Sequence, residues 1–376
     1  MAGLASRLAD RHQVTLITLD VVSADRYPVD PRVRRVGLGL MSSSPHLGRA
    51  LGANIRRIRC LRQAIGESTP DVILSFCDKT NLTVLAAVGR KSPIPVVISE
   101  HSDPREQRLG LSWALLRKLL YRRAASAIVL SEGVAEYLRR WISRPIAVIA
   151  PAVDPPQSSL LVRPADPSIP AKEAESFVWI AVGRLSEEKG FHHAIAAIDR
   201  LRSLPTPDSA RHEIMVPNVQ LWIAGEGPSR QSLEAQIDRL GLRSNVRLLG
   251  WVKNIPQLLE RGDGYVLTSR YEGFPVGLLE ALAQGLPCVA FDCPSGPREI
   301  LQSGTNGWLV PNQALDPLVE TMALVMQQPD AAASCGEAGR EVLRRYSWDA
   351  LVTAHEAVLA RAVSGRCGGR SGGIDD

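Results

Sequence analysis

The sequence lacks the features that mark membrane-spanning, zinc-binding and disulfide-stabilised proteins. No window of its 376 residues reaches the roughly 18 consecutive apolar residues that a membrane-spanning helix needs. None of its six cysteines forms a C-x-x-C pair, and no histidine cluster lies beside them, so we expect reduced thiols rather than a metal site. The first residues contain no apolar core followed by a small-residue cleavage site, and the expected compartment is therefore the cytoplasm.

Nucleic-acid-binding signatures are also lacking, although the first half of the chain is basic. Residues 1–155 contain 23 Lys and Arg against 13 Asp and Glu, a net charge of +10, whereas the remainder contains 21 against 26, a net charge of −5. The arginines are dispersed, and we find no zinc-finger or RNP signature and no convincing helix-turn-helix. We therefore expect no nucleic-acid partner, and an anionic membrane surface or a phosphate-bearing acceptor accounts better for the basic half.

Short apolar runs alternate with amphipathic stretches along most of the chain. This alternation predicts an α/β fold in which parallel strands are covered by helices on both faces. Typical helical stretches are 47–65, 82–88 and 113–123. The predicted strands are 14–19, 72–76, 96–99, 127–130 and 146–149 in the first half, and 177–182, 219–224, 246–249, 264–267 and 288–291 in the second.

A proline-containing interruption divides this alternation into two domains, with a cleft expected between them. Its composition, with few large apolar residues, is typical of a linker. Residues 204–218 are predicted to form a surface loop, and the Gly-rich tail is predicted to be disordered. The predicted organisation is a Rossmann-like domain over 1–155, a linker over 156–175, a second Rossmann-like domain over 176–346, a C-terminal helix over 347–363 that returns to the first domain, and a disordered tail over 364–376.

The most informative segment spans residues 269–280, directly after an apolar strand. Gly273 lies in a turn, and Pro275 suits the first position of a helix that is predicted to end at Gln284 with Gly285 as its left-handed cap. A strand, a glycine-containing turn and a helix N-terminus form an anion-binding site, because free N–H groups and the helix dipole point at the ligand.

Two carboxylates, Glu272 and Glu280, accompany this predicted anion site. They would repel a phosphate, whereas hydroxyl groups donate hydrogen bonds to carboxylates. A ligand that carries both phosphates and hydroxyls is a nucleotide sugar.

Two further turns follow predicted strands of the second half. Residues 183–190 place Arg184 and Lys189 at the carboxyl end of one strand, where Arg suits bidentate phosphate contact and Lys acts as a point charge. Residues 224–228 place Gly225 after the next strand, where the backbone can approach a ligand closely.

Together these segments resemble the retaining glycosyltransferases of family 4, which have the GT-B fold. The family marker E-G-F-P-x4-E matches residues 272–280, and its G-R stretch ending in K-G matches residues 183–190. The resemblance covers about residues 1–360 and is strongest over 178–310.

The resemblance implies transfer of a hexosyl or N-acetylhexosaminyl group from a nucleoside diphosphate sugar, more often a UDP-sugar than a GDP-sugar. Arg184 and Lys189 would bind the diphosphate and stabilise it as it leaves, Glu280 would bind the ribose hydroxyls, and Glu272 would contact the donor sugar. No metal or cofactor is expected, because the two cations neutralise the leaving group. The remaining donor-binding positions are Gly183, Gly225, Gly273, Phe274, Pro275 and Val276.

In the first half, His101 follows a predicted strand, and members of the family often have a histidine there. The resemblance implies that it accepts a hydrogen bond from a sugar hydroxyl or helps to deprotonate the acceptor. The implied acceptor is a glycan or a polyprenyl-diphosphate-linked glycan, in polysaccharide or cell-surface glycan synthesis. The basic amphipathic stretch 113–123 either lies on an anionic bilayer or packs its apolar face on the sheet, and both alternatives stay open.

The start of the chain departs from the family pattern of a strand, a Gly-rich turn and a helix. Leu4 and Leu8 have helical spacing, and the first predicted strand follows only at 14–19. We therefore expect that the first strand and its turn are missing from this sequence, and we favour a start that lies upstream over a loss of the acceptor domain's activity. Two other functions remain open, a non-catalytic partner subunit with the same fold and a sugar-nucleotide epimerase.

Overall fold

The structure, a computed structural model, describes residues 1–25, 27–41, 47–90, 92–105, 110–156, 166–203 and 218–365. Nearly all of the predicted surface loop over 204–218, the linker residues 157–165 and nearly all of the predicted disordered tail lie outside these ranges. The chain divides into an N-terminal unit, residues 1–150 with 349–376, and a C-terminal unit, residues 151–348.

The N-terminal unit contains a two-stranded and a four-stranded parallel sheet, with orders β1-β2 and β3-β4-β5-β6. Within the described ranges no backbone ladder joins the two sheets. The sequence did not predict β2, because its residues Arg-Arg-Val-Gly offer a single large apolar side chain. The strands are β1 (Thr15–Thr18), β2 (Arg34–Gly37), β3 (Ile73–Phe76), β4 (Val96–Glu100), β5 (Ser126–Val129) and β6 (Ile146–Val148).

Helices cover the four-stranded sheet of this unit and bury an apolar core against it. Leu82, Ile98 and Leu138 belong to that core and are almost completely buried. The helices are α1 (Ala2–Leu8), α2 (Leu47–Ser68), α3 (Asp78–Val88), α4 (Leu111–Tyr121) and α5 (Glu132–Arg139).

The C-terminal unit is built on one six-stranded parallel sheet with the order β12-β11-β10-β7-β8-β9. The chain adds β8 and β9 on one side of β7 and β10 to β12 on the other, so the strand order reverses between β7 and β10. The sequence did not predict β12, which ends in a proline and lies at an edge of the sheet, where proline is tolerated. The strands are β7 (Ser176–Val182), β8 (Asn218–Ala224), β9 (Val246–Gly250), β10 (Gly264–Leu267), β11 (Cys288–Asp292) and β12 (Trp308–Pro311).

The inner strands of this sheet are rich in β-branched and aromatic side chains, which favour extended backbone. Trp179 and Trp222 are fully buried, and the Trp222 indole donates to Gln220 Oε1 at 3.0 Å. The surrounding helices are α6 (Phe191–Leu201), α7 (Arg230–Arg239), α8 (Ile255–Leu259), α9 (Val276–Ala283), α10 (Pro297–Ile300), α11 (Leu315–Gln327), α12 (Pro329–Gly339) and α13 (Val342–Arg345).

The last helix, α14 (Trp348–Ser364), packs on the four-stranded sheet of the N-terminal unit. Val358 lies in one apolar cluster with Val97, Ile128 and Ile149. The prediction of a C-terminal helix that returns to the first domain is confirmed, as is the α/β class with parallel sheets.

Candidate active site

The turns that follow β7, β8 and β10 interlock through their backbones at the carboxyl edge of the six-stranded sheet. A Cβ on Gly225 would lie 1.8 Å from the carbonyl oxygen of Gly183, and a Cβ on Gly190 would lie 2.1 Å from that of Thr268. Gly190 also has a positive φ of 60°, which favours glycine. These turns meet at the point where the strand order reverses, which is where open parallel sheets bind ligands.

An ion pair crosses this reversal point and joins the turn after β7 to the turn after β10. Lys189 Nζ donates to Glu272 Oε1 at 2.6 Å, and the Ser269 hydroxyl donates to the same oxygen at 2.6 Å. Glu272 is buried and Lys189 is partly exposed. In the described part of the chain, Oε2 of Glu272 has no hydrogen-bond partner, and Nζ of Lys189, which has three protons to donate, has this one partner.

Arg184 lies in the turn after β7, in the same turn as Lys189. Its side chain is exposed, and among the described residues no carboxylate or carbonyl receives a bond from its guanidinium. The half-buried Gly183 lies against the aliphatic part of Lys189, since a Cβ there would be in van der Waals contact with it at 3.4 Å. The Arg184 guanidinium and the two remaining protons of the Lys189 ammonium are therefore available to an anion.

Helix α9 begins at the turn that carries Glu272. Pro275 is the N-cap and Val276 is the first helical residue, so the helix begins one position later than predicted. It ends at Ala283 with Gln284 as the C-cap, one residue before the predicted end, and the predicted left-handed glycine is confirmed, since Gly285 has a φ of 80°. In the turn, Gly273 is half-buried, Phe274 packs its ring edge-to-face on Tyr346 at 5.7 Å, and Val276 is exposed.

Glu280 lies on α9, about one turn beyond the helix start, and is half-buried. Desolvation raises the pKa of its carboxyl to about 7, and the nearby negative charge of Asp154 acts in the same direction. Asp154 is held in place by the Trp348 indole, which donates to its Oδ1 at 2.6 Å. Among the residues that the structure describes, no group donates a hydrogen bond to the Glu280 carboxylate.

His101 lies in the N-terminal unit, directly after β4, and is described with that unit alone. Its Nε2 is 3.0 Å from the buried Ser99 hydroxyl, and its ring packs edge-to-face on Phe76 at 5.4 Å. Desolvation by the surrounding protein lowers the pKa of the imidazole to about 4, although the residue as a whole stays exposed. The ring is therefore neutral at pH 7.

Residues beside the predicted ones also shape these two regions, and the sequence analysis gave them no role. Ser269 and Ser99 orient Glu272 and His101, and Asp154 acts on Glu280 through its charge. Both serines lie at or just after the end of a parallel strand, which was the signal that could have identified them. Asp154 offered no such signal, because it lies in the segment that begins the C-terminal unit.

The described ranges contain neither a candidate metal site nor a helix suited to cross a membrane. There, no group of three or more His, Cys, Asp and Glu side chains is placed to hold a metal ion. No helix in the same ranges combines the length and apolarity that crossing a membrane requires.

The architecture of this chain is that of solved GT-B glycosyltransferases. HepE from Anabaena, in a structure with UDP and glucose, superposes with a TM-score of 0.73 at 19% sequence identity, over 96% of this chain and 94% of that one. The family model described as Glycosyltransferase Family 4 matches residues 1–157, and the model described as Glycosyl transferases group 1 matches residues 162–342. The chain belongs to this glycosyltransferase family.

Two curated relatives align with more than four fifths of the chain at 28% identity. One is the GalNAc-α-(1→4)-GalNAc-α-(1→3)-diNAcBac-PP-undecaprenol α-1,4-N-acetyl-D-galactosaminyltransferase of Campylobacter jejuni, matched over 82% of this chain and 79% of that protein. The other is an exopolysaccharide phosphotransferase of Streptomyces coelicolor, matched over 81% of this chain but only 30% of that protein. Several other relatives are matched over about half of their length or less.

Proposed function

We propose that this protein transfers a hexosyl or N-acetylhexosaminyl group from a nucleoside diphosphate sugar, preferentially a UDP-sugar, to a glycan or lipid-linked glycan. The observation that carries the proposal is the Lys189–Glu272 ion pair at the reversal point, together with the exposed Arg184 in the same turn as Lys189, whose guanidinium has no partner among the described residues. UDP is also present in the structure of HepE, which has the same fold.

The diphosphate is assigned to the two cations. Arg184 has no partner among the described residues, and Lys189 can keep Glu272 while its two remaining protons contact phosphate oxygens. Negative charge grows on the leaving phosphate in the transition state, so these contacts strengthen as the bond to the sugar breaks. In this proposal the two cations do this work without a metal ion.

The hydroxyl groups of the donor are assigned to the two carboxylates. Oε2 of Glu272 faces no donor among the described residues, and Glu280 carries a desolvated carboxyl that lacks a hydrogen bond. We assign the donor sugar to Glu272 and the ribose to Glu280. The backbone from Gly273 to Val276 lines the sugar subsite.

The acceptor is assigned to the N-terminal unit, where the neutral ring of His101 can accept a proton from an attacking hydroxyl. The name of the Campylobacter jejuni relative includes an undecaprenol-linked glycan, which supports a polyprenyl-linked acceptor at the inner face of the cytoplasmic membrane. Retention at the anomeric carbon is part of the proposal on family resemblance.

A donor screen tests the proposal. The protein is incubated with UDP-, GDP- and other nucleotide sugars, with and without a polyprenyl-diphosphate glycan, and free nucleotide and new glycan are detected by mass spectrometry. We expect nucleotide release that depends on the acceptor, and NMR of the product should show the donor's anomeric configuration. Turnover without acceptor would favour an epimerase, and an absence of nucleotide binding by calorimetry would contradict the proposal.

A further inference from the structure

Helix α4 exposes large apolar side chains on the side that faces away from the core. Leu115 is 71% exposed and Leu119, one turn later, is 56% exposed. Leu120 and Tyr121 on the same helix are buried and pack into the core. The helix therefore has two apolar faces, and the described residues cover only one of them.

Cations surround this outward face, and no acidic residue accompanies them. The sequence from 111 to 123 contains Arg117, Lys118, Arg122 and Arg123 but neither Asp nor Glu. Arg117 is buried, whereas the other three are exposed. At 100° per residue Lys118 lies beside the stripe of Leu115 and Leu119, and Arg122 and Arg123 follow directly after the end of the helix at Tyr121.

Helix α2 of the same unit is also basic. Helix α3 lies between α2 and α4 and packs against both. Helix α2 contains five arginines and one glutamate, and Arg56 and Arg59 are exposed.

Exposed apolar side chains in the C-terminal unit have a different arrangement. Trp251, Val276 and Leu324 are 46%, 40% and 39% exposed, and they lie on separate elements. Isolated exposures of this kind are ordinary on protein surfaces. Leu115 and Leu119 of α4 differ, because they lie one turn apart on the same helix, are more exposed, and belong to a segment whose charged side chains are all positive.

We propose that this face of α4 docks on an anionic lipid bilayer, with Leu115 and Leu119 inserted among the acyl chains. Lys118, Arg122 and Arg123 then lie at the level of the headgroup phosphates, which is the arrangement of interfacial amphipathic helices. A second copy of this chain fits less well, because two such faces would bring cations together. This inference deepens the proposed function, since a lipid-linked acceptor is reached from the membrane surface.

Vesicle co-sedimentation tests the docking face without using enzymatic activity. The full chain is mixed with vesicles of phosphatidylcholine alone, or of phosphatidylcholine with phosphatidylglycerol. We expect binding to the anionic vesicles that weakens as salt rises. Leu115→Ser with Leu119→Ser should weaken it by about tenfold or more, and Arg122→Gln with Arg123→Gln by on the order of 10–30-fold.

Matched variants in the C-terminal unit separate the docking face from general charge and apolarity. Leu324→Ser removes an exposed leucine elsewhere, and Arg239→Gln with Arg261→Gln makes the same change in net charge; both should bind as the wild type does. Equal binding of wild type and the double serine variant would overturn the proposal, as would equal binding to neutral and anionic vesicles.

Two further measurements distinguish the remaining explanations. If the wild type is a dimer in light scattering and the double serine variant is a monomer with unchanged vesicle binding, the face joins two copies and the membrane proposal is wrong. Donor binding, measured by calorimetry in the same variants, should stay at the wild-type level. If the wild type binds vesicles but no nucleotide, the proposed function fails while the docking face stands.

Discussion

The candidate site residues of the two units are held in place to different degrees. In the C-terminal unit, the turns after three strands contact one another through glycine backbones, and Lys189 and Ser269 both donate hydrogen bonds to Glu272. In the N-terminal unit, His101 has one polar partner, Ser99, among the described residues, and it stays exposed. The difference indicates that the proposed donor-site residues are held in place within the protein, whereas His101, on the proposed acceptor side, stays accessible to solvent.

A pair of carboxyl groups shows the reverse pattern. Glu100 and Glu280 both have a pKa that desolvation raises to about 7. Glu100 is almost completely buried and accepts a hydrogen bond from the Tyr121 hydroxyl at 2.7 Å, whereas Glu280 is half-buried and accepts none among the described residues. The first carboxyl is satisfied within the protein, and the second is available to a ligand.

The largest expected effect is that of Lys189→Ala on turnover. The lysine contacts a phosphate that gains charge in the transition state, so kcat should fall by about 10²–10³ while donor Kd changes less. Steady-state kinetics with nucleotide release and calorimetry measure the two quantities. Lys172→Ala is the matched control, because Lys172 also pairs with a carboxylate, Asp263 at 2.5 Å, in the same unit. Wild-type turnover in Lys189→Ala would mean that the diphosphate site is wrongly assigned.

His101→Gln should act on the acceptor side alone. A general base contributes about 10²–10⁴ to the rate, and we expect a loss of about 10² in kcat/KM for the acceptor with an unchanged donor Kd. His12→Gln is the control, since His12 lies in the same unit and pairs with Glu356 at 2.9 Å. A change in the Kd of the donor would contradict the proposal that His101 acts only on the acceptor.

The sequence predicted most of the C-terminal unit because its motifs depend on local backbone requirements. Gly285 caps α9 as predicted, since a left-handed position after a leucine-rich helix favours glycine. The prediction failed for β2 and β12, which have too few apolar residues or end in proline and form only because neighbouring strands pair with them. The Lys189–Glu272 contact spans 83 positions, and no local pattern reveals such a pair.

Glu280→Ala should weaken donor binding rather than turnover. Hydrogen bonds to a charged acceptor contribute about 1.5–3 kcal/mol, which corresponds to about a 10–150-fold increase in the Kd of the nucleotide sugar. Calorimetry measures the change, and Glu320→Ala, an exposed glutamate on α11, should bind as the wild type does. Unchanged affinity in Glu280→Ala would leave the ribose without its proposed partner.

Donor affinity should also depend on pH near neutrality. Hydroxyl donors favour the charged form of Glu280, whose pKa in the free protein is about 7, so the donor must bind the deprotonated state. The Kd of an intact nucleotide sugar should therefore be low and constant above about pH 7.5, and should rise by up to about tenfold per unit as pH falls below 7. In Glu280→Gln this slope should disappear. A slope that survives in Glu280→Gln belongs to another group.

The smallest expected effect is on the free energy of unfolding, and it concerns Glu100, the carboxyl that is not available to a ligand. The folded-state pKa of Glu100 is about 7, above the ordinary value of 4.5. Below 4.5 the carboxyl is protonated in both states, whereas between 4.5 and 7 the unfolded chain loses a proton that the folded protein keeps. The free energy of unfolding should therefore decrease as pH rises through this window and level off above it.

Glu100→Gln keeps the shape of the side chain and an oxygen that can accept the Tyr121 hydroxyl, but it cannot ionise. Hydrogen-exchange protection of the β4 amides, measured from pH 5 to pH 8 and corrected for intrinsic rates, should decline in the wild type and stay nearly flat in the variant. Added nucleotide sugar should leave this decline unchanged, because it engages Glu280 and not Glu100. If the variant shows the wild-type decline, Glu100 is not the group that titrates, and the contrast between the two carboxyls fails.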